Sequence, residues 1–142
     1  MGSGYSDSRT GVGRWKVNFF YAGMDHSGIA RTSALYRAAL LAKASNQSYM
    51  QIVDARAKIG VHVYLGEMNS DVNLVVVGVP SMESPSLCEA KKDIWKSYCG
   101  SFDVEQTIRA AAQKLDRTPD QMARDYADAQ AKVAAYPPLK GG

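Results

Sequence analysis

An α+β fold is predicted: a β-α-β-β-β sheet with one covering helix, followed by two C-terminal helices. Three stretches carry that prediction. Between residues 15 and 21 the chain alternates, and Trp15, Val17, Phe19 and Tyr21 fall on one face, the period of a half-buried strand. Residues 29–44 are rich in Ala and Leu and lack Gly and Pro, with Ala34, Leu35, Ala38, Leu41 and Ala42 recurring at helical spacing. Residues 72–79 contain Leu74-Val75-Val76-Val77, apolar on both faces, which suits a central strand.

The remaining elements follow in chain order. Met1-Gly2-Ser3-Gly4 reads as an initiator methionine with a short polar cloning scar. Residues 1–13 together read as a flexible leader, because Gly, Ser, Asp and Arg dominate. An α+β domain is expected over residues 14–100. Gly23 ends its first strand, and Asp25-His26-Ser27-Gly28 form a turn from which Ser27 or Thr32 caps the helix. Asn46 suits the left-handed residue that closes it. Tyr49–Asp54 and His62–Leu65 read as the second and third strands, Glu67–Asp71 as a turn, and Val72–Val79 as the fourth. A strand-helix-strand start implies parallel or near-parallel strands joined by a right-handed crossover, with antiparallel steps afterwards.

Residues 80–100 are irregular, and residues 101–138 form a helical hairpin packed on the domain or on a partner. Asp103 with Gln106, and Thr118-Pro119 with Gln121, have the form of helix-start capping boxes. Val104, Ile108, Ala111, Ala112 and Leu115 make the apolar stripe of the first of these helices. Met122, Tyr126, Ala129, Val133 and Tyr136 make a narrow seam on the second, which docks on its own domain or on a second copy. Pro137-Pro138 ends it.

Composition bounds the role. With 142 residues, 46% hydrophobic and 22% charged, the chain reads as one ordinary globular domain or one small domain with a helical appendage. No apolar run approaches the ~18 residues of a membrane helix. A net charge of +3 is too weak to argue for nucleic acid. Neither Gly-x-Ser-x-Gly nor Ser-x-x-Lys occurs in a strand-turn-helix setting. No catalytic residue, metal ligand or cofactor is assigned, and the two histidines, His26 and His62, lie too far apart in sequence to argue for a metal.

The two cysteines, Cys88 and Cys99, have ten residues between them, which is not the spacing of a Cys-x-x-Cys redox or zinc site. In an oxidising compartment a bridge would close a short loop and add roughly 3 kcal/mol on the chain-entropy model. The alternative is two buried thiols of a cytosolic protein. The bridge is favoured, and with it a periplasmic or secreted setting.

Charged positions suggest contacts. Arg37 is expected to pair with Asp54 at the end of a neighbouring strand; its planar fork also suits a carboxylate or phosphate ligand. Asp116, Asp120, Asp125 and Asp128, beside Arg117 and Arg124, read as a solvated face. Arg56 and Lys58 join the Met122–Tyr136 seam as candidate partner-surface positions.

Four segments appear in order: Gly4-Tyr5-Ser6, Arg14-Trp15-Lys16-Val17-Asn18-Phe19, Leu35-Tyr36-Arg37-Ala38-Ala39-Leu40-Leu41-Ala42 and Tyr49-Met50-Gln51-Ile52-Val53-Asp54-Ala55. Over residues 4–55 the chain resembles a family of small proteobacterial envelope lipoproteins with no assigned function. Members share a Gly-Tyr-Ser leader, a Val-x-Phe strand, a Leu-Tyr-Arg-Ala-Ala helix and a strand opening with an aromatic residue. Where members usually carry Phe-x-Gly-Asn, this chain has Tyr21-Ala22-Gly23-Met24, and it has no lipidated cysteine. The resemblance implies a periplasmic or outer-membrane location and supplies no catalytic residue.

The resulting expectation is a non-enzymatic interaction or binding module of the Gram-negative envelope. Its partner is another protein or a second copy docked through the last helix. The membrane is met only through a lipid anchor outside this sequence, and nucleic acid is not a partner. Alternatives are an envelope stress or metal-sensing module, by analogy of fold alone, and a small hydrolase.

Overall fold

Period-two alternation turns Trp15, Val17 and Phe19 to one side of their strand, and that side becomes the core. The computed structural model describes residues 4–22, 28–62, 67–88 and 100–136. Its elements are β1 (Gly4–Gly11), β2 (Arg14–Ala22), α1 (Ile29–Ala44), β3 (Tyr49–His62), β4 (Glu67–Val79), β5 (Ser101–Asp103), α2 (Val104–Lys114) and α3 (Pro119–Ala134). The α+β class is the one the sequence predicts, with a helix after the first core strand and two helices at the end.

The five strands form one sheet in the order β1-β2-β4-β3-β5, every neighbouring pair antiparallel. Because β2 and β3 both run antiparallel to β4, they run parallel to each other with β4 between them. That is the relation expected of the strands on either side of α1. Trp15, Val17 and Phe19 stand opposite Val76, Leu74 and Val72 of β4, and Ile52 and Ala55 of β3 meet Val76 and Leu74 from the other side. All of these are buried.

Helix α1 lies on this face, and α2 and α3 pack against α1 in turn. Its burial on more than one side explains its composition: Ala30, Ala34, Ala38 and Leu41 are buried, but so are Tyr36, Arg37 and Leu40. A helix enclosed this way needs small residues all round, not one apolar stripe. Helices α2 and α3 are amphipathic, burying Ile108, Ala111, Ala112 and Ala129 in the same core.

Helix ends follow local chemistry. Asp103 accepts from the Gln106 amide at 2.9 Å, and Thr118 and Gln121 bond reciprocally at 3.2 and 2.9 Å. At the end of α1, Asn46 adopts φ 62° and Gln47 N–H reaches back to the Ala42 carbonyl. Asp116 and Arg117 repeat this ending on α2, with φ 54° at Asp116 and a bond from Arg117 N–H to the Ala112 carbonyl. The α1 N-cap is Gly28, at φ 75°, not Thr32, which lies inside the helix; Ser27 lies outside the described residues.

Three segments differ from expectation. Residues 4–11, read as leader, form β1, which pairs with β2 from Gly4↔Phe20 to Gly11↔Arg14. Its core-side positions are Tyr5, Asp7 and Arg9, so it lacks the apolar alternation that announces a strand. Residues 49–62 are one strand, not parts of two, and the expected turn at 67–71 belongs to β4; residues 63–66 lie outside the described residues. Backbone pairing of Lys58, Ile59 and Gly60 with Asp71, Ser70 and Asn69 carries the hairpin beyond the apolar run. Strand β5, of three residues, pairs with Tyr49–Gln51 and was not expected.

Candidate functional site

Strand β3 carries a bulge between Ile52 and Asp54. Regular alternation would place Asp54 on the face of Met50 and Ile52, under the helices. The extra residue, Val53, shifts the parity, so Ala55 enters the core and Asp54 stands opposite Val75 on the other face. The expected Arg37–Asp54 pair is therefore not formed. Asp54 takes Arg56 Nε at 3.3 Å and accepts from the Ala55 amide.

Arg37 instead joins β1, α1 and α3. Its Nε donates to Asp7 Oδ2 at 2.8 Å and its Nη1 to Asp128 Oδ2 at 2.9 Å. The Arg37 and Asp7 side chains are 7% and 3% exposed. Asp7 Oδ1 makes no hydrogen bond, and Lys132 Nζ, at 3.7 Å, compensates its charge. One turn away, Tyr36 donates to Asp125 Oδ2 at 2.7 Å, and Arg117 grips the same carboxylate through Nε and Nη2 at 3.0 and 2.8 Å. Burial, followed by the Asp125 hydrogen bond and charge, raises the Tyr36 phenol well above its ordinary value. The hydrogen bond to Asp125 raises Arg117 as well. Asp125 and Asp128 thus bind residues of their own fold instead of forming a purely solvated face. Asp7, the buried acid of this network, lay in the stretch read as leader.

The apolar seam of α3 is also occupied from within. Ala129 is fully buried, and Met122, Tyr126, Val133 and Tyr136 pack on the core. The Tyr136 ring meets Trp15 edge-on at 5.3 Å, and Lys43 Nζ lies 4.6 Å from the Tyr126 ring centre. Ala129 is buried and the other four are half-buried against their own domain, one of the two dockings expected of the seam.

Of the other surface candidates, Arg56 is exposed on the sheet face turned from the helices. The Lys58 side chain lies outside the described residues. Strand alternation places Arg14, Lys16, Asn18 and Phe20 of β2 on this same face, across from Asn73 and Asp71 of β4. Asn18 Nδ2 donates to Asn73 and Asp71 at 2.9 and 3.3 Å. Neither Arg14 nor Lys16 takes part in an ion pair among the described residues.

At one end of the sheet, fully buried Gln51 fixes the segment after β4. Its Nε2 donates to the Ser84 and Pro85 carbonyls and to Ser101 Oγ, and its Oε1 accepts from the Leu87 amide. A long amide between Met50 and Ile52, beside an irregular segment, was the available signal for this clamp. Cys88, just beyond it, is disulfide-bonded. Cys99 lies outside the described residues, as does His26.

Two hollows complete the surface. An apolar cavity of about 360 Å³ lies between α1, β5 and α2, walled by Leu35, Phe102, Ala110 and Ala111 with Lys114 on its lining. An open polar depression of about 600 Å³ lies beside Tyr49 and Glu105, where Lys43 is paired with Glu105 at 3.0 Å. Among the described residues no group of three or more His, Cys, Asp or Glu is placed to hold a metal, and no helix is long and apolar enough to cross a membrane. No protein-family model, curated protein or solved structure matches the chain.

Proposed function

We propose that this protein is a non-enzymatic interaction module of the Gram-negative envelope, which meets an acidic protein partner through the part of its sheet around Lys16 and Arg56, on the face turned from the helices. The contrast between the two sheet faces carries this reading. One face is filled by α1 with α2 and α3 behind it; the other presents exposed Lys16 and Arg56 beside half-buried Phe20. Arg14 and Lys16 leave positive charge without an ion-pair partner among the described residues, which favours an acidic surface opposite. The disulfide at Cys88 supports an oxidising compartment. The lipoprotein resemblance over residues 4–55 supports the same location.

A photo-cross-linking residue at position 16, compared with one at exposed position 124 on α3, tests the contact in cells. The position-16 probe is expected to give a discrete cross-linked species that disappears when Arg14 and Arg56 are both changed to Glu. The position-124 probe is expected to give none. Identical products from both positions, or a position-16 product indifferent to the charge reversal, would refute the reading.

A further inference from the structure

We infer that α3 is an ionic latch: it lifts from α1 as one unit while the rest of the fold stays closed, and dissolved salt favours the open form. The two C-terminal helices are held in different ways. In α2, five residues of eleven are buried: Val104, Thr107, Ile108, Ala111 and Ala112. In α3, one residue of sixteen is buried, Ala129, and the apolar seam beside it is only half-buried. Segments with few buried apolar contacts open at a lower free energy than the whole fold. Among the described residues α3 makes no backbone hydrogen bond to a strand, so lifting it breaks no sheet pairing.

Charged and polar bonds supply what α3 lacks in buried surface. Asp125 takes Arg117, just after α2, and the Tyr36 hydroxyl; Asp128 takes Arg37; Lys132 takes Asp7. The α3 member of each ion pair keeps contact with solvent, its side chain being 23% exposed at Asp125, 73% at Asp128 and 36% at Lys132. Salt therefore screens all three pairs, while the apolar packing of the sheet carries no charge to screen. Lifting α3 uncovers Tyr36 and Arg37 on α1, which are 2% and 5% exposed in the closed chain. It also withdraws the Tyr136 ring from Trp15. The latch is on the helical side of the protein, and the inference does not depend on the sheet-face contact.

Hydrogen exchange on the full chain, read at single amides of α2, α3 and β4, tests this in about 0.05 M and about 0.5 M sodium chloride and over a range of low urea. A lone helix of this length is marginal in water, so the α3 amides exchange whenever it lifts. They are expected to exchange at least about tenfold faster than those of α2 and about a hundredfold faster than those of β4. Their urea dependence should be weaker than that of β4, because lifting one helix exposes less surface than global unfolding. The higher salt is expected to speed α3 about threefold or more and to leave β4 unchanged. The double variant Asp125→Asn, Asp128→Asn is expected to exchange faster in α3 at low salt and to lose most of the salt response, with β4 protection showing that it stays folded. Exchange of α3 at the rate and urea dependence of β4 would overturn the inference. So would α3 exchange indifferent to salt, or a double variant that keeps the full salt response.

Discussion

Arg37 Nε donates to Asp7 Oδ2 over 2.8 Å, and both side chains are almost wholly withdrawn from water. Removing either partner leaves the other buried charge with only a part-exposed counter-ion, Asp128 for Arg37 and Lys132 for Asp7, so Arg37→Ala and Asp7→Ala are each expected to cost about 3 kcal/mol in urea denaturation. The double substitution should cost less than their sum, because the two changes remove one interaction. Asp128, whose side chain is 73% exposed, pairs with the same guanidinium in a setting open to solvent. Asp128→Ala should therefore stay within about 1 kcal/mol.

The Tyr36 phenol gives the fold a dependence on alkaline pH. Its folded-state value lies above the ordinary 10.0, first through burial and then through Asp125. The native chain therefore holds this proton more tightly than the unfolded chain. The associated stability is complete below about pH 10 and is lost as the pH rises through the folded value. Tyr36→Phe should cost about 1 kcal/mol at neutral pH by deleting the hydrogen bond. Between about pH 8 and pH 11 the wild-type protein should lose more stability than this variant, as read by urea denaturation at both values.

Gln51 holds the segment from Ser84 to Leu87 with one side chain. Gln51→Leu puts an apolar residue of similar size in the strand and removes every one of those bonds. A loss of about 1–3 kcal/mol is expected, together with faster protease cleavage between Ser81 and Leu87. Limited proteolysis with mass mapping reads this directly.

The α3 seam is internal, so changing it should affect stability and not assembly. Ala129 is wholly buried in the core, and Ala129→Leu should cost about 1–3 kcal/mol through overpacking. Tyr126→Ala should lower the melting temperature as well. Light scattering should return the same mass for both variants as for the unmodified chain. A change of mass without loss of stability would restore the seam as a partner surface.

What was legible in the sequence is what local pattern determines. Trp15, Val17 and Phe19 announce β2 because their face is uniformly apolar. The capping residues Asp103 and Thr118 announce α2 and α3 because a cap bonds its own helix within three residues. Strand β1 was not legible because Asp7 owes its burial to Arg37, 30 residues away. The Arg37–Asp54 expectation failed at one residue: Val53 is an ordinary strand valine, and only the pairing with β4 makes it the extra one. The basic positions on the sheet face turned from the helices were only half legible, since Arg56 could be named from sequence while Arg14 and Lys16 needed the register of β2.

Backbone hydrogen exchange over residues 4–11 tests most directly whether this stretch is a strand clasped into the fold by Arg37. Protection is expected in the unmodified protein and is expected to vanish in Arg37→Ala while β2 and β4 keep theirs. Exchange at the rate of an unfolded chain throughout residues 4–11 of the unmodified protein would contradict it.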